Sequence, residues 1–316
     1  MARYLLRRFL LAILTLWILA TAVFVIPFRL PASVGRTILG PFAPAESVAD
    51  LNHRLGTDQS VVRQYGRAMK HIATLDFGDS YRFNRPVLAV LRPGLWRSAK
   101  LAILALLLTV PVSIFAGIYA ARRKDRIADR VIVLLGLASS SIPEFVTGSI
   151  LAIVVGVKLK WLPAISIIPD DVSNIGQLRF LVLPALSLAL VYFGYIARMT
   201  RAGMIGALDA DYTRTAVMKG LAPRAVLGRH VLRNALVPTI SVIGTQIGYL
   251  FGGLIGVETI FNYNGMGTIL VDAVKKKDIP LLQAAVLIIA VIYMIATLFA
   301  DLLIAWINPR TRQAMS

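Results

Sequence analysis

The chain has 316 residues, 57% of them hydrophobic against 16% charged, and a mean hydropathy of +0.73. That balance is too apolar for a soluble domain of this length and defines an integral membrane protein. Cysteine is absent, which excludes a disulfide framework, a thiolate nucleophile and any Cys-based metal site.

Arg3, Arg7 and Arg8 precede the first apolar run, Phe9 to Pro27, a pattern shared by secretory signals and first transmembrane helices. Its length, close to the ~20 residues a bilayer core requires, and the lack of a small-residue cleavage site predict a retained span. The connection from Phe28 to Ser98 contains several prolines and glycines, and its middle, LNHRLGTDQSVVRQYGRAMKHIATL, has loosely helical apolar spacing. It reads as a small folded cap. Its end, LDFGDSYRFNRPV (Leu75 to Val87), mixes Gly, Asp and Asn with aromatics and reads as an ordered surface loop, either a structural lid or a docking surface for an external partner.

Five further runs of spanning length follow: Ala99 to Ala121, Val131 to Val157, Phe180 to Ala197, Leu236 to Val257 and Leu282 to Trp306. Six helices place both termini on one side. Basic residues on that side number three at the N-terminus, five between the second and third spans, seven between the fourth and fifth, and two (Arg310, Arg312) at the C-terminus, against four acids. The two short loops on the other side are balanced, and long loops translocate largely regardless of charge, so the positive-inside bias puts both termini in the cytoplasm. The net charge of +18 suits topology and anionic lipid rather than nucleic acid, because it is spread over membrane-flanking loops without an aromatic stacking pattern.

Between the fourth and fifth spans, Asp211 to Lys219 has helix formers, stops at Gly220 and restarts after Ala222-Pro223. The expected product is two short helices meeting at an elbow, with Arg229 and Arg233 one turn apart on the second and Ala225, Val226, Val231 and Leu232 as apolar contacts. An interfacial helix on lipid needs no such elbow, whereas a protrusion seated in another protein does. In the fifth span, Gly244, Gly248, Gly252 and Gly256 recur at four-residue spacing and are expected to let a neighbouring backbone approach.

No phosphate-binding Gly-x4-Gly-Lys-Ser/Thr loop occurs, and His53, His71 and His230 are isolated, without metal-ligand spacing or a nucleophile–base arrangement within one compartment. The residues therefore point to a protein with no catalytic site, no metal and no cofactor of its own.

The stretch DYTRTAVMKGLAPRAVLGRHVLRNALVP resembles the cytoplasmic loop of permease subunits of binding-protein-dependent ABC importers, in particular the dipeptide, oligopeptide and nickel branch. The resemblance extends through LLRRFLLAILTL, LDFGDSYRFNRPV, SIPEFVTGSIL, KWLPA, VETIFNYNGMGTILVDAVKKKDIPLLQAAVL and the closing INPRTR. It implies an all-α type I importer permease fold with six spans, both termini inside, divided into an N-terminal tail and first helix (1–28), a periplasmic cap (29–98) and a core of five spans (99–316) with a coupling loop at about 209–235. Within the family's Glu-Ala-Ala pattern, Arg214, Thr215 and Ala216 occupy the first three places and Gly220 the glycine, followed by Leu221 and Pro223. The first two letters depart from the general pattern, so no role for a Glu carboxylate carries over.

By the same resemblance the chain sits in a bacterial inner membrane with a second, similar permease, two cytoplasmic ATPase subunits that carry ATP and magnesium, and a periplasmic substrate-binding protein. The expected cargo is peptides, with nickel, glutathione or oligosaccharide as alternatives within the family. An autonomous channel or secondary transporter would need its own coupling-ion site and usually a two-fold repeat of half-chains, and neither is evident.

Two acids fall within apolar runs. Glu144, after Pro143 and roughly 20 Å along the third span at ~1.5 Å per residue, should face the bundle interior or water. It is either a pathway carboxylate that meets a peptide's amino terminus or a structural acid beside a proline kink, with Ser139 to Ser141 as partners. Asp301, near the inner end of the sixth span, is expected to pair with a base.

Overall fold

A computed structural model describes residues 2–25, 33–169 and 173–307, so that Pro27, Pro31 and the closing INPRTR from Asn308 onward, with Arg310 and Arg312, lie outside the described residues. The regular elements among them are helices, and an isolated β-bridge joins Asp79 and Pro86. In chain order they are α1 (Ala2–Val25), α2 (Val34–Leu39), α3 (Ala45–Leu55), α4 (Val61–Ala73), α5 (Val87–Arg122), α6 (Ile127–Ser141), α7 (Glu144–Leu151), α8 (Asn174–Leu208), α9 (Asp211–Met218), α10 (Pro223–Ala225), α11 (Leu232–Ile260), α12 (Met266–Lys275) and α13 (Ile279–Ile307). Two π-helical stretches, Ala152–Lys158 and Val226–Val231, prolong α7 and join α10 to α11.

Five stretches are long and apolar enough to cross a bilayer: Leu6–Val25, Val87–Arg122, Ile175–Leu208, Pro223–Ile260 and Ile279–Ile307. The third apolar run, expected as one helix from Val131 to Val157, is instead two helices bent by 99°, and counting the pair as one crossing gives six. Pro143 is the cause. A residue before proline is driven out of the helical region, and Ile142 is extended with φ −98° and ψ 125°.

The chain forms two compact units, one of Leu6–Ala99 with Asn264–Ile292, the other of Lys100–Tyr263 with both chain ends. In the first, the cap helices are joined by polar contacts: Asn52 Oδ1 accepts the Gly35 amide at 2.9 Å, and the Tyr65 hydroxyl meets Thr21 of α1 at 2.9 Å while its ring stands edge-on to Phe24.

In the second unit α8 is the axis, packed on α6, α7 and α11. Helices in lipid gain nothing from burying apolar faces against one another, so close contact depends on small residues. A Cβ placed on Gly194 would lie 1.9 Å from the Gly136 carbonyl oxygen of α6, and one on Gly203 2.2 Å from the Ala235 carbonyl oxygen of α11. On the α5 side, Gly117 leaves a 2.6 Å would-be approach to the Ala197 carbonyl. At Gly194 and Gly203 the nearest atoms are backbone, which has no rotamer to give way, while at Gly117 the Thr200 side chain stands as close as the carbonyl.

Pro184 sits inside α8 and has no N–H to offer the Phe180 carbonyl one turn back. That carbonyl accepts the Ser166 hydroxyl at 2.7 Å, and the Ser166 amide in turn reaches the Phe261 carbonyl at 2.6 Å. Ser166 thus satisfies the group that the proline frees, as the water-poor interior of a bilayer requires.

Gly194→Ala should lower the stability of the detergent-solubilised chain by about 1–3 kcal/mol through overpacking against backbone. Gly206→Ala, on the same helix with nothing within 4 Å of its would-be Cβ, should be neutral or stabilising by up to about 1 kcal/mol. Thermal unfolding of the two variants side by side reads the difference.

Candidate functional site

The connection between α8 and α11 is an elbow with a buried base and an exposed tip. α9 ends at Lys219, and Gly220 takes φ +72°, a left-handed conformation that glycine adopts without steric cost. Open space surrounds the position, so its demand is one of backbone geometry alone. Ala222 is extended before proline, and Pro223, at the first helical position, starts the next helix with φ already set.

The expected second short helix is longer than its sequence signals suggested. From Pro223 the backbone continues through the π-helical stretch into α11, making one helix to Ile260. A proline at a helix start propagates rather than breaks it, and Pro238 within α11 is accommodated. The elbow is therefore the end of a 38-residue rod.

One face of the elbow is anchored. Ala216, Val226 and Val231 are buried in a cluster with Ala121, Met204, Ala207 and Ala235 drawn from α5, α8 and α11. The Thr213 hydroxyl donates to the Ala207 carbonyl at 2.7 Å, a buried bond that joins α9 to the end of α8. The opposite face is open: Arg214, Thr215, Lys219, Gly220 and Pro223 are exposed, and so are the apolar Val217, Met218 and Leu221, with Met218 at 80%. Arg229 and Arg233 are also exposed, and Arg233 Nε donates to the Ile307 carbonyl at the end of α13.

Glu144 opens α7, directly after the break in the third span, and is half-buried. Its carboxyl rests on α11 at Gly253, whose would-be Cβ lies 3.0 Å from Glu144 Oε1, while Phe145 fills the corresponding place over Gly256. The serines expected beside it bond elsewhere: Ser139 and Ser140 donate to the Gly136 carbonyl, and Ser141 to Leu137. Asp301 lies half-buried in α13.

The four glycines of α11 do not share a neighbour. Gly244 faces Ala300 and Gly248 faces Tyr293, both on α13; Gly252 meets nothing within 4 Å; Gly256 meets Phe145 on α7. Each four-residue step advances about 40° beyond a full turn at 3.6 residues per turn, so the stripe winds around the helix. Gly253, outside the four-residue series, is the one that receives Glu144.

Two polar constellations were not legible as sites. Asp129, near the start of α6 and buried, forms a bidentate ion pair with Arg201 of α8, with Arg201 Nη2 2.6 Å from Asp129 Oδ2, and also accepts the Asp125 amide at 2.9 Å. As members of two loops they had counted only toward topology. Asp278, fully buried before α13, accepts the Ser80 hydroxyl at 2.5 Å and the amides of Tyr81 and Arg82 at 3.2 Å, while the Arg82 guanidinium binds Asp272 at 2.6 Å. The loop from Asp76 to Pro86 is thereby pinned to the α12–α13 turn. Burial, together with the Asp278 carboxylate beside it and against the pull of Arg67, raises the Tyr81 phenol above its usual value, which leaves it neutral at physiological pH.

These features define a polytopic α-helical membrane protein with a broken third crossing and an anchored, partly apolar elbow between its fourth and fifth. The model of the binding-protein-dependent transport system inner membrane component family matches residues 113–313, and that family's N-terminal model matches residues 1–91. The chain belongs to this family and is an inner membrane component of a transport system.

It is 33% identical to the dipeptide transport system permease protein of Alkalihalophilus pseudofirmus, over 99% of this chain and all of that one. It is 35% identical to a putative peptide transport system permease protein of Brucella abortus and 36% identical to the glutathione transport system permease protein of Salmonella paratyphi A, each over 99% of both chains. A solved amino acid ABC transporter with histidines aligns with a TM-score of 0.48 at 18% identity, over 69% of this chain and 92% of that one.

Replacing Asp278 by Ala removes the acceptor for one hydroxyl and two amides and should cost about 2–4 kcal/mol locally. Limited proteolysis within residues 76–86 of the detergent-solubilised protein should accelerate, with the rest of the chain resistant.

Proposed function

We propose that the chain is the permease subunit of an ATP-driven importer of peptides. The observation that carries this reading is end-to-end similarity, at 33–36% identity and 99% coverage of this chain, to permeases named for dipeptide, peptide and glutathione transport. In this reading both termini and the elbow face the cytoplasm, as the positive-inside bias predicts. The elbow is the coupling element: Arg214, Thr215, Ala216, Gly220, Leu221 and Pro223 define its shape, and the exposed Val217, Met218 and Leu221 seat in a cleft of an ATPase subunit.

Closure of two ATPase subunits on ATP pushes this elbow, and the anchored base passes the displacement into α8 and the rod that ends in α11. A rigid transmission is what rocking between inward-open and outward-open states requires. A second permease completes the pathway, and a periplasmic binding protein delivers cargo to the cap. The division into tail, cap and core assigns delivery to residues 29–98 and translocation to 99–316. Glu144 serves as the pathway carboxylate, held at a helix break over Gly253 while Ser139 to Ser141 bond to backbone carbonyls instead; ATP and magnesium belong to the partner subunits. Glutathione, itself a short peptide, is the second cargo supported by a relative of equal coverage.

Peptide uptake into vesicles holding the whole assembly tests both coupling and cargo. The double substitution Val217→Glu, Met218→Glu places charge on the seat without touching the buried base, and should reduce ATP-dependent uptake by about tenfold or more and release the ATPase on purification. Unchanged uptake with the ATPase still bound overturns the coupling role. Competition of labelled dialanine uptake by glutathione separates the two cargoes.

A further inference from the structure

A groove of about 950 Å3 opens between the start of the long rod and the end of α13, both within the second unit. Its size falls in the range of small-molecule sites. The lining combines the basic Arg229, His230 and Arg233 with the apolar Leu232, Leu236 and Trp306. Among the described residues no acidic side chain lines it.

Three features separate this groove from an ordinary basic flank. The first is charge without compensation. Arg229 is exposed and makes no side-chain hydrogen bond or ion pair among the described residues. Arg233 engages only Nε, which donates to the Ile307 carbonyl. That bond ties the rod to α13 and positions a guanidinium whose two Nη groups have no partner among the described residues. The second is depth. Leu236 opens the fifth apolar run and Trp306 closes the sixth, so the groove lies at the boundary between headgroups and acyl chains, where tryptophan is enriched. Trp306 is 78% exposed, a large apolar face left uncovered by the described residues. The third is local backbone. Val226–Val231 is π-helical, an arrangement that recurs at functional sites, and Arg229, Arg233 and Leu236 follow at spacings of four and three residues, which places them along one side of the rod.

We infer that this groove holds one anionic phospholipid, whose phosphate accepts from Arg229 and from the Nη groups of Arg233 while an acyl chain lies against Leu236 and Trp306. The planar fork of arginine matches phosphate oxygens and makes charge-assisted bonds to them. A soluble phosphate shares the headgroup chemistry but leaves the apolar half of the groove uncovered, so the lipid is the occupant. The inference rests on the chain crossing a membrane and not on coupling or cargo.

The test is native mass spectrometry of the purified full assembly in detergent, titrated with dioleoylphosphatidylglycerol, with its zwitterionic counterpart dioleoylphosphatidylcholine and with glycerol phosphate. Phosphatidylglycerol should be retained at concentrations about tenfold or more below those phosphatidylcholine needs. Arg229→Gln with Arg233→Gln should abolish that preference, whereas Arg122→Gln with Arg126→Gln, a pair of exposed arginines flanking the second and third spans, should keep it. Equal retention of the two lipids, or loss of the preference in both pairs of variants, overturns the site in favour of a general attraction between basic flanks and anionic lipid. Displacement of phosphatidylglycerol by equimolar glycerol phosphate overturns it in favour of a soluble phosphate. Release of the ATPase subunits by the Arg229 and Arg233 pair, with lipid retention unchanged, overturns it in favour of a protein partner. A second readout keeps every charge in place: bromine-labelled phosphatidylglycerol should quench tryptophan fluorescence more than bromine-labelled phosphatidylcholine, and Trp306→Phe should remove the excess. Quenching that is equal for the two lipids, or an excess that survives Trp306→Phe, overturns the inference even if the arginine variants fail to assemble.

Discussion

The second unit depends on backbones meeting without side chains between them. Apolar helices in lipid gain little from hiding apolar surface, because the acyl chains they displace are equally apolar. What holds them is dispersion at short range and the satisfaction of every backbone polar group. α8 meets both demands. Gly194 and Gly203 seat it against the carbonyls of α6 and α11, and Ser166 takes up the carbonyl that Pro184 leaves open.

The elbow is anchored to the same helices: Ala216, Val226 and Val231 are buried among residues of three long helices, and the segment continues into a 38-residue rod. Its exposed tip mixes the apolar Val217, Met218 and Leu221 with Arg214, Thr215 and Lys219. The break at Pro143 acts in the opposite sense. It interrupts the third crossing and leaves Glu144, a group costly to place in hydrocarbon, against a glycine of α11. A polar helix break inside a bundle is tolerated where it lines protein or water rather than lipid.

The cap unit adds long-range polar contacts to its close glycine seats, such as Gly35 against the Val48 carbonyl. Asp278 collects three donors from the Ser80–Arg82 segment, and the Ser98 hydroxyl accepts the Met266 amide at 2.7 Å. Bonds between positions nearly 200 residues apart along the chain explain why this unit combines Leu6–Ala99 with Asn264–Ile292. A division by hydropathy alone separates these segments, because hydropathy records where apolar runs begin and not which loops meet.

Hydropathy, basic flanks and local stop and start signals were enough to predict a helical membrane protein, its six apolar runs, the elbow at Gly220 and the family resemblance. Each rests on neighbours in sequence: a run of apolar residues, a glycine that alone takes positive φ easily, a proline that begins a helix. Contacts across the chain left no such trace. Gly194 and Gly203 belong to no regular series, while the regular series from Gly244 to Gly256 faces two different helices and, at Gly252, open space among the described residues. Asp129 with Arg201, and Asp278 with its loop, looked like ordinary loop charges. Their burial and pairing arise only when distant segments fold together, because the energy of a polar group in a protein is set by the partners and solvent around it, and a linear spacing rule carries neither.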